Sequence, residues 1–481
     1  MRAIQTLLCA LVVVVCGCTP VDIPKRDGPS IDVPISYTMP GGGTPFPQQY
    51  WHAFGDDTLD DIVQRSLVAN FDLKQAWARL AQAKATARII GAPLLPAVDL
   101  NSSLARTRSD SHSGVAYNSS WAVGFGLSWE IDIWRKLANR AQAAILLANA
   151  SRQDVEQTAL VLTGTVTDLW FTVREQADLV RVINEQVRLS EKLLETVENR
   201  YVNGLAGALA VYQQRQQLEG VRTQLPLVLS RLETSLNGLQ VLQGATPESV
   251  DIDTIEASLP DLPPLPELGS PMLLLEHRPE LRAARDRLAA ADREVAAAVA
   301  DMLPTIRFSV GYDWQSQSIS DPFTSGLASI GGSLLQPVFD NDRRGAEVVR
   351  HKAIVQERLA AFSQAFLEAL REVEDALDQE RFQIDYIDDL TVRYQLAIRE
   401  LDAAGSAYAD GAAEYLDVIN AVQTRQGLQR ELVAARRDLL AYRTALYRSL
   451  GGTWMHDLDA PLVDQELEAD VAADLGLEGA I

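Results

Sequence analysis

The sequence repeats itself at a constant spacing of about 208 residues, and this duplication limits the folds open to the chain. Residues 73–96 align with residues 281–304, and nine of the 24 aligned positions are identical. A Tyr-x-x-Gly motif at Tyr201 recurs 207 positions later at Tyr408. Solenoid repeats are only about 20 to 50 residues long. A repeat of this length therefore predicts two quasi-equivalent halves, each carrying one copy of the same structural device.

The N-terminus has the features of a secretion signal that ends in a lipid-modified cysteine. Arg2 supplies a positive charge, and the apolar run over residues 7–15 is short for a membrane span. Gly17 precedes Cys18, and a small residue before a cysteine is typical of a bacterial lipobox. The sequence therefore predicts a signal peptide over 1–17 and lipidation at Cys18. An ordinary secretory signal is the alternative.

Composition and charge exclude several classes of protein. All three cysteines lie within the first 18 residues, so the mature chain has no disulfide framework. The net charge of −22 argues against nucleic-acid binding, which needs a basic face. Thr19 stands where an aspartate commonly retains lipoproteins in the inner membrane, which favours the outer membrane. No later segment is apolar enough for a transmembrane helix.

Two pairs of alternating stretches predict four β-strands. Residues 121–129 place their larger apolar side chains at odd positions, with a partner expected at approximately 97–109. In the second copy, residues 306–314 alternate, and the partner is expected at about 327–338, where Pro337 marks the strand's end. A sheet edge open to lipid leaves backbone groups unsatisfied, so the strands of several chains must join. Three chains give twelve strands, enough for a lumen, whereas the alternative is a soluble sandwich fragment.

Helical sequence dominates the remainder of both copies. Residues 58–92 predict one helix, and the runs 134–201 and 341–408 contain no proline. Each long run would extend roughly 100 Å. In the second run, seam positions recur at spacings of three and four, which calls for a facing helix. Each run turns at a glycine and returns, and Pro226 should interrupt the first return helix.

These patterns divide the chain into six segments. The connector is rich in Leu-Pro and stiff, and the tail is acidic and predicted to be disordered or peripheral. The segments are a signal peptide (1–17), a lipidated tether with no core of its own (18–57), a first repeat (58–247), a connector (248–270), a second repeat (271–454) and an acidic tail (455–481).

Taken together, the motifs resemble the TolC-type outer-membrane factors, and the lipidated tether is most similar to their OprM/NodT-like lipoprotein branch. The features that carry the resemblance are the lipobox, the duplicated halves, the strand pairs and the stretch from Trp129 to Trp134 before a long helix. Both hairpins also contain Tyr-x-x-Gly-x-x-x-x-Leu-x-Val, beginning at Tyr201 and Tyr408. The resemblance covers nearly the whole chain from Cys18 to Trp454.

The resemblance implies a mixed α+β membrane protein with a fold of long antiparallel helices and four strands per chain. Three chains would build a twelve-stranded transmembrane β-barrel and a periplasmic helical barrel. The expected function is the passive exit duct of a tripartite efflux pump for drugs or other small toxic compounds. The expected partners are two further copies, a periplasmic adaptor protein, an inner-membrane transporter of the resistance-nodulation-division class and outer-membrane lipids.

No catalytic or metal constellation competes with this interpretation. The five histidines are scattered without a second ligand at metal spacing, and no phosphate loop or nucleophile elbow is present. We therefore expect no cofactor, no metal and no enzymatic activity. Two alternatives remain open: a duct for type I protein secretion and a lipid-anchored periplasmic coiled-coil scaffold.

By resemblance, the periplasmic hairpin ends should carry the gate. The family's carboxylate ring corresponds to Asp417, whereas Asn420 stands at the second ring position. A ring of like charges repels anions, and burial should raise its proton affinity. Some members lock the entrance through an arginine and an aspartate, but the matching positions here are Ala413 and Ala210. The side chains expected to narrow the pore by packing are those of Tyr201, Tyr408 and Leu416.

The glycine turns themselves are candidates for contact with an adaptor. Gly204 and Gly411 permit the tight reversal. Gly207 and Ala412 are small and would let another helical hairpin approach closely. The alternative explanation is that the glycines only turn the chain.

Overall fold

The computed structural model describes residues 32–112, 114–250, 258–316, 323 and 325–458 of the 481-residue chain. The signal peptide, Cys18 and the tail from residue 459 lie outside the described residues. The chain forms two compact units, each built from both copies. The first contains Arg79–Gln153 and Arg282–Ala365, and the second contains Asp32–Ala78, Asp154–Leu281 and the chain from Phe366 onwards.

Helices account for most of the described residues. They are α1 (Asp57–Ala69), α2 (Phe71–Gly91), α3 (Lys136–Val202), α4 (Ala208–Arg222), α5 (Leu225–Leu242), α6 (Leu274–His277), α7 (Pro279–Ala300), α8 (Arg343–Ala409) and α9 (Tyr415–Leu450). The strands are β1 (Ala97–Ser111), β2 (Gly114–Ile131), β3 (Thr305–Ser316) and β4 (Ser325–Leu335). Among the described helices, none is long and apolar enough to cross a membrane.

The helix predicted over 58–92 is wrong in one respect, because Asn70 divides it into α1 and α2. The backbone of Asn70 is extended, with φ −60° and ψ 130°. Its side-chain oxygen accepts hydrogen bonds from the N–H groups of Asp72 and Leu73, at 2.9 and 3.0 Å. Asparagine is a favoured N-cap residue. Asn70 therefore ends one helix and starts the next, while its amide donates to the Leu242 carbonyl at 2.9 Å.

The four strands form one antiparallel sheet in chain order within the first unit. The first pair runs from Ala97↔Ser128 to Ser111↔Gly114, and β2 continues onto β3 up to Ile131↔Ile306. All four predicted strands are confirmed. The last is shorter than predicted, since β4 ends at Leu335 and Pro337 lies beyond it. Proline has no N–H to donate to a ladder, so the strand stops before it.

The two long helices are confirmed and are equal in length. Helices α3 and α8 each contain 67 residues, which corresponds to about 100 Å. Asp132 caps the start of α3, because its carboxylate accepts from the N–H groups of Leu137 and Ala138 at 3.1 and 2.7 Å. Each long helix is thus a single uninterrupted element.

The return helices differ between the copies, as Pro226 predicted. Helix α4 ends at Arg222, and α5 begins at Leu225 with the proline in its first turn. A proline is tolerated there because the first N–H groups of a helix have no partner within it. The second return helix, α9, lacks a proline and runs unbroken for 36 residues.

Two buried arginines of the second unit hold the connector between the copies. Arg443 donates to both carboxylate oxygens of Glu380, at 2.7 and 2.6 Å, and to the carbonyls of Pro263 and Pro264. Arg174 donates to the carboxylate of Asp56 and to the carbonyl of Ser258. Arg174 of the first copy therefore holds the connector at Ser258, and Arg443 of the second copy holds it at Pro263 and Pro264.

The described residues that precede α1 are part of the second unit and pack against its other elements. Tyr37 is buried, and a 3-10 turn over Tyr50–Phe54 buries Tyr50 and Phe54. Thr44 forms an isolated bridge with Pro266 of the connector. The described part of the predicted tether thus lies along other elements of this unit.

Candidate functional site

The hairpin between α3 and α4 reverses through a hydrogen-bonded glycine turn. Gly204 has a left-handed backbone, with φ +72°. The N–H of Leu205 donates to the Arg200 carbonyl at 2.8 Å, and the N–H of Gly204 donates to the Tyr201 carbonyl at 2.9 Å. This pair of bonds is a Schellman motif, which favours glycine at the left-handed position. The Tyr-x-x-Gly motif therefore encodes a helix end.

The hairpin between α8 and α9 repeats this turn bond for bond. Gly411 has φ +76°. The N–H of Ala412 donates to the Ala407 carbonyl at 2.8 Å, and the N–H of Gly411 donates to the Tyr408 carbonyl at 3.1 Å. The motif that repeats after 207 residues in the sequence therefore forms the same turn geometry in both copies.

The four residues predicted to contact an adaptor all lie on the surface of these turns. Gly204, Gly207, Gly411 and Ala412 are exposed. A Cβ added at any of the three glycines meets no atom within 4 Å. Gly207 has φ −83° and serves as the N-cap position of α4. Small residues therefore leave open space at both turns, and Gly207 is glycine without a backbone requirement for it.

Below the turns, an apolar cluster joins the two hairpins. Ala210 and Val211 from the first hairpin meet Val418 and Val422 from the second, and all four are buried. We call this set the tip cluster, which also includes Val197, Tyr415 and Ile419. The two turns are therefore fixed side by side by packing within one chain.

Tyr408 is held by an arginine that the sequence interpretation missed. The Arg200 guanidinium lies 4.6 Å from the centre of the Tyr408 ring, and the Tyr415 ring lies 5.1 Å from it. Cation–π contact of this kind stabilises a ring by about 0.5–1 kcal/mol at exposed sites. The positions Ala413 and Ala210 carry no arginine or aspartate. The arginine beside this tyrosine comes instead from the other copy, just before its own turn.

Tyr415 is a second residue that the sequence interpretation missed. Its side chain is buried in the tip cluster. Its hydroxyl donates to the Gln214 side-chain oxygen at 2.8 Å, and Gln214 donates to the Ser190 carbonyl at 2.8 Å. Burial, and secondly the neighbouring Tyr408, raise the pKa of Tyr415. The phenol therefore stays a neutral hydrogen-bond donor between the hairpins.

Further along the hairpins, glutamine side chains bridge the two copies. Gln423 donates to Gln217 at 2.7 Å, and Gln217 donates to Gln426 at 3.0 Å. Gln186 donates to Gln429 at 3.0 Å. These side-chain bonds fix the register of the two hairpins by polar contacts. The abundance of glutamine in both return helices was the available sequence signal.

The residues predicted to gate the entrance are partly exposed in the single chain. Asp417 and Asn420 are exposed, one helical turn apart on α9. Tyr201 and Leu416 expose about half of their surface, at 49% and 45%. Tyr408 is half-buried by the contacts described above. Four of the five side chains are thus available to meet a neighbouring molecule.

Asp417 and Ala210 occupy equivalent positions with opposite environments. Each is the third residue of its return helix. Asp417 faces solvent in the first turn of α9, where a carboxylate is favoured by the helix dipole. Ala210 is buried in the tip cluster. The acidic side chain therefore belongs to the second hairpin alone.

In the first unit, the sheet has one apolar and one polar face. The apolar rows follow cross-strand pairing, as in Leu100↔Phe125↔Tyr312. Leu100 is 64% exposed and Phe125 51% exposed. The members of the apolar face include Val98, Leu100, Leu104, Trp121, Val123, Phe125, Leu127, Trp129, Phe308, Val310, Tyr312, Trp314 and Ile330. An exposed apolar face of this extent marks a contact with lipid or protein.

The opposite face of the sheet leads into a chain of ion pairs. Arg307 lies 3.4 Å from Glu130, and Lys136 lies 2.5 Å from Glu130. Asp301 then connects Lys136, at 3.7 Å, with Arg344, at 3.3 Å. Lys136 and Arg344 are equivalent residues of the two copies. The network therefore ties both copies together where strands become helices.

One acidic side chain of the second unit has a strongly shifted pKa. Burial raises the pKa of Asp168 to about 6, while Arg437 and Arg448 act in the opposite direction. One of its carboxylate oxygens is buried and has no hydrogen-bond partner among the described residues. Its equivalent in the second copy, Asp375, is exposed and pairs with Arg371 at 2.8 Å.

A metal site would need a group of at least three His, Cys, Asp or Glu side chains that could act as ligands. Over residues 32–458, apart from the stretches not described, no three of these side chains are grouped as metal ligands. His52 instead lies 2.5 Å from Asp60.

Comparison with known proteins identifies the family of this chain. The family model "Outer membrane efflux protein" matches residues 62–245 and 271–452. The chain belongs to the outer membrane efflux protein family. The two matched stretches correspond to the two copies, so the duplication is a property of the family's fold.

Alignments with individual relatives cover nearly the whole of this chain. The pyoverdine export outer membrane protein OpmQ of Pseudomonas aeruginosa is 30% identical over 476 residues, which cover 95% of this chain and 98% of OpmQ. The probable outer membrane lipoprotein SilC of Salmonella typhimurium is 26% identical and covers 95% of this chain and 100% of its own. The structure of the outer-membrane channel OprN has a TM-score of 0.84 at 23% identity, covering 90% of this chain and 100% of that one.

The family model and the relatives make this chain an outer-membrane efflux protein, and its fold is that of the outer-membrane channel OprN. The resemblance to TolC-type factors stated from the motifs is confirmed. The fold class is confirmed as well, with long antiparallel helices, one antiparallel sheet and an internal duplication.

Proposed function

We propose that three copies of this chain form an exit duct through the outer membrane, which completes a tripartite efflux pump. The observation that carries this proposal is the sheet with one apolar face. Within the described residues, β1 and β4 are edge strands whose outer sides lack a partner. Backbone groups left unpaired in lipid carry a penalty of several kcal/mol each. Joining three sheets edge to edge removes every edge and gives twelve strands around a lumen.

The polar face of the sheet fits the lumen of such a duct. Asp99, Asn101 and Ser103 alternate with the apolar residues of β1. Alternation of apolar and polar side chains is typical of strands between lipid and water. Lipidation at Cys18 would add an anchor, as the description of SilC as a probable outer membrane lipoprotein implies for that relative. Because the duct is passive, we expect no catalytic activity, no cofactor and no resident metal.

The partners follow from the two turns. A periplasmic adaptor would dock on the exposed surface formed by Gly204, Gly207, Gly411 and Ala412, and an inner-membrane transporter of the resistance-nodulation-division class would deliver the cargo. The open space around the three glycines supports this docking. Relatives are named for pyoverdine export, toluene efflux and cation efflux. Cargo so diverse is consistent with a pump that selects the compound and a duct that passes it.

Asp417 would form the charged ring of the entrance. In a threefold arrangement, equivalent carboxylates from three second hairpins repel anions at the constriction. Asn420 would continue the constriction without charge, and Tyr201, Tyr408 and Leu416 would narrow it by packing. The exposure of Asp417 in the single chain supports this placement.

The proposal is tested with the purified full-length protein in planar phosphatidylcholine bilayers. We expect discrete cation-preferring channels, together with gel mobility in mild detergent that changes on heating. The Asp417→Ala variant should raise the conductance or lower the cation preference, because the ring loses three charges. Asp402→Ala, which removes an exposed acid from α8, is the matched control. A wild-type protein without channels and without heat-modifiable mobility would point to a periplasmic scaffold instead.

A further inference from the structure

The helical segments next to the sheet carry very different charges in the two copies. In the first copy, residues 79–96 and 132–153 contain seven Lys and Arg but one Asp. In the second copy, the equivalent residues 287–304 and 340–361 contain seven Lys and Arg and seven Asp and Glu. The whole chain has a net charge of −22. A net charge of +6 in this part of the first copy therefore runs against the composition of the protein.

The three arginines of this basic segment that lie nearest the strands form no ion pair among the described residues. Arg88, Arg135 and Arg140 are exposed, and none forms a salt bridge within the described residues. Lys136 differs, because Glu130 and Asp301 neutralise it. We call Arg88, Arg135 and Arg140 the basic collar. Its positive charge is thus available to an external anion.

The basic collar lies close to the ends of the strands. Helix α2 ends at Gly91, six residues before β1, and α3 begins five residues after β2 ends at Ile131. A Cβ built on Gly91 would lie 3.9 Å from Ala141, so the end of α2 contacts the start of α3. At 1.5 Å per helical residue, Arg88 and Arg140 lie within roughly 10–15 Å of the strand ends. Long arginine side chains can extend across part of this distance.

Exposed apolar side chains accompany the basic collar. Ile89 follows Arg88 directly, Leu95 lies between α2 and β1, and both are 71% exposed. Trp129 and Trp134 close the same junction, with their indole N–H groups donating to the carbonyls of Leu94 and Pro304 at 3.1 and 2.7 Å. Arginine beside exposed apolar and indole side chains is typical of a membrane–water interface.

We propose that the basic collar binds the phosphate groups of anionic phospholipids in the leaflet next to the helices. This inference rests on the proposed function, because it needs the sheet to cross the membrane. In the second copy, Ala296 and Val348 stand at the positions of Arg88 and Arg140, so two of the three charges of the collar are absent there, and Arg343 keeps the charge of Arg135. Anionic lipid would therefore collect beside the first copy of each chain. Around the trimer, lipid-binding first copies would alternate with second copies that bind less anionic lipid.

The test is native mass spectrometry of the detergent-solubilised full-length protein with phosphatidylglycerol or phosphatidylcholine of identical acyl chains. Wild type should retain phosphatidylglycerol in preference to phosphatidylcholine. The variant R88Q/R135Q/R140Q should lower phosphatidylglycerol binding about a hundredfold, since each basic residue near an anionic surface contributes roughly fivefold. Retention of phosphatidylcholine should not change.

Two matched variants separate position from charge. R350Q/K352Q/R358Q removes the same number of positive charges from exposed residues of α8 in the second copy and should leave lipid preference unchanged. R88K/R135K/R140K keeps the charge and should keep the preference. Equal loss in both glutamine variants, or no loss in either, overturns the proposal. If the first glutamine variant does not assemble, the single changes R88Q and R140Q take its place, and each should weaken binding severalfold.

Failure of the inference and failure of the duct give different results. Channels in pure phosphatidylcholine bilayers need no anionic lipid, so the R88Q/R135Q/R140Q variant should conduct like wild type there. Channels without a phosphatidylglycerol preference would overturn the basic collar and leave the duct intact. Absence of channels from the wild type would overturn the duct, and the collar with it.

Discussion

The two hairpins share one turn but are stabilised in different ways. Gly204 and Gly411 close identical Schellman motifs. The first hairpin buries Ala210 in the tip cluster and has a return helix interrupted before Pro226. The second hairpin exposes Asp417 and has an unbroken return helix. The two hairpins therefore share the same backbone turn, whereas the charge at the third position of the return helix and the continuity of that helix differ between the copies.

The same contrast holds for the polar groups buried along the helices. Arg443 in the second hairpin binds Glu380. Among the described residues, the Glu380 carboxylate has no other ion pair or hydrogen bond. Arg174 in the first hairpin binds Asp56, which also accepts from Trp170 at 2.7 Å and caps α1. Glu380 thus depends mainly on Arg443 for its polar contacts, whereas Asp56 receives hydrogen bonds from Trp170 and from backbone N–H groups as well as from Arg174.

The largest expected effect concerns these two arginines. Arg443→Met should destabilise the protein by about 3–5 kcal/mol, because it leaves Glu380 buried without a countercharge. Arg174→Met should be milder, since Asp56 keeps its bonds to Trp170 and to two backbone N–H groups. Chemical denaturation followed by tryptophan fluorescence measures both. The double variant R443M/E380M should recover much of the loss, and equal effects of the two single changes would contradict the ranking.

The next effect concerns Asp168 and its equivalent Asp375. Because burial raises the pKa of Asp168 from 3.8 to about 6, the folded protein binds the proton more tightly than the unfolded chain. The contribution to stability is present below pH 4 and is lost as pH rises through about 6. Asp168→Asn should therefore stabilise the protein at pH 7 by at most about 3 kcal/mol and have little effect at pH 4.

Asp375→Asn is the control for this pH dependence. Its carboxylate is exposed and pairs with Arg371 one helical turn away. Surface pairs of this kind contribute about 0.3–0.5 kcal/mol. Thermal unfolding of both variants at pH 4, 5, 6 and 7 provides the comparison. A gain that does not depend on pH for Asp168→Asn would assign the effect to packing rather than to charge.

Local patterns predicted the parts of this comparison that depend on neighbouring residues. Alternation predicted all four strands, and the two Tyr-x-x-Gly motifs predicted the turns, because both signals lie within a few residues of the structure they encode. Pro226 predicted the interruption of the first return helix for the same reason. The duplicated order of these motifs then indicated the family.

Contacts between distant residues could not be predicted in this way. Arg200 meets Tyr408 across about 200 residues of sequence, and Tyr415 meets Gln214 across a similar separation. Their pairing depends on how the two hairpins pack, which no local pattern encodes. Asn70 was missed for a different reason, because helical periodicity continues through it and only its capping side chain ends the helix.

The smallest expected effect tests whether the shared turn is equivalent in both copies. Gly204→Ala and Gly411→Ala should each destabilise the protein by about 1–2 kcal/mol, because an L-residue is strained at φ near +70°. Gly207→Ala should change stability little, since Gly207 has φ −83° and open space around its Cα. Denaturation midpoints of the three variants measure this difference. Similar losses at Gly204 and Gly411 would show that the copies share their turn energetically. A loss at only one would mean that contacts beyond the turn have made the copies diverge there too.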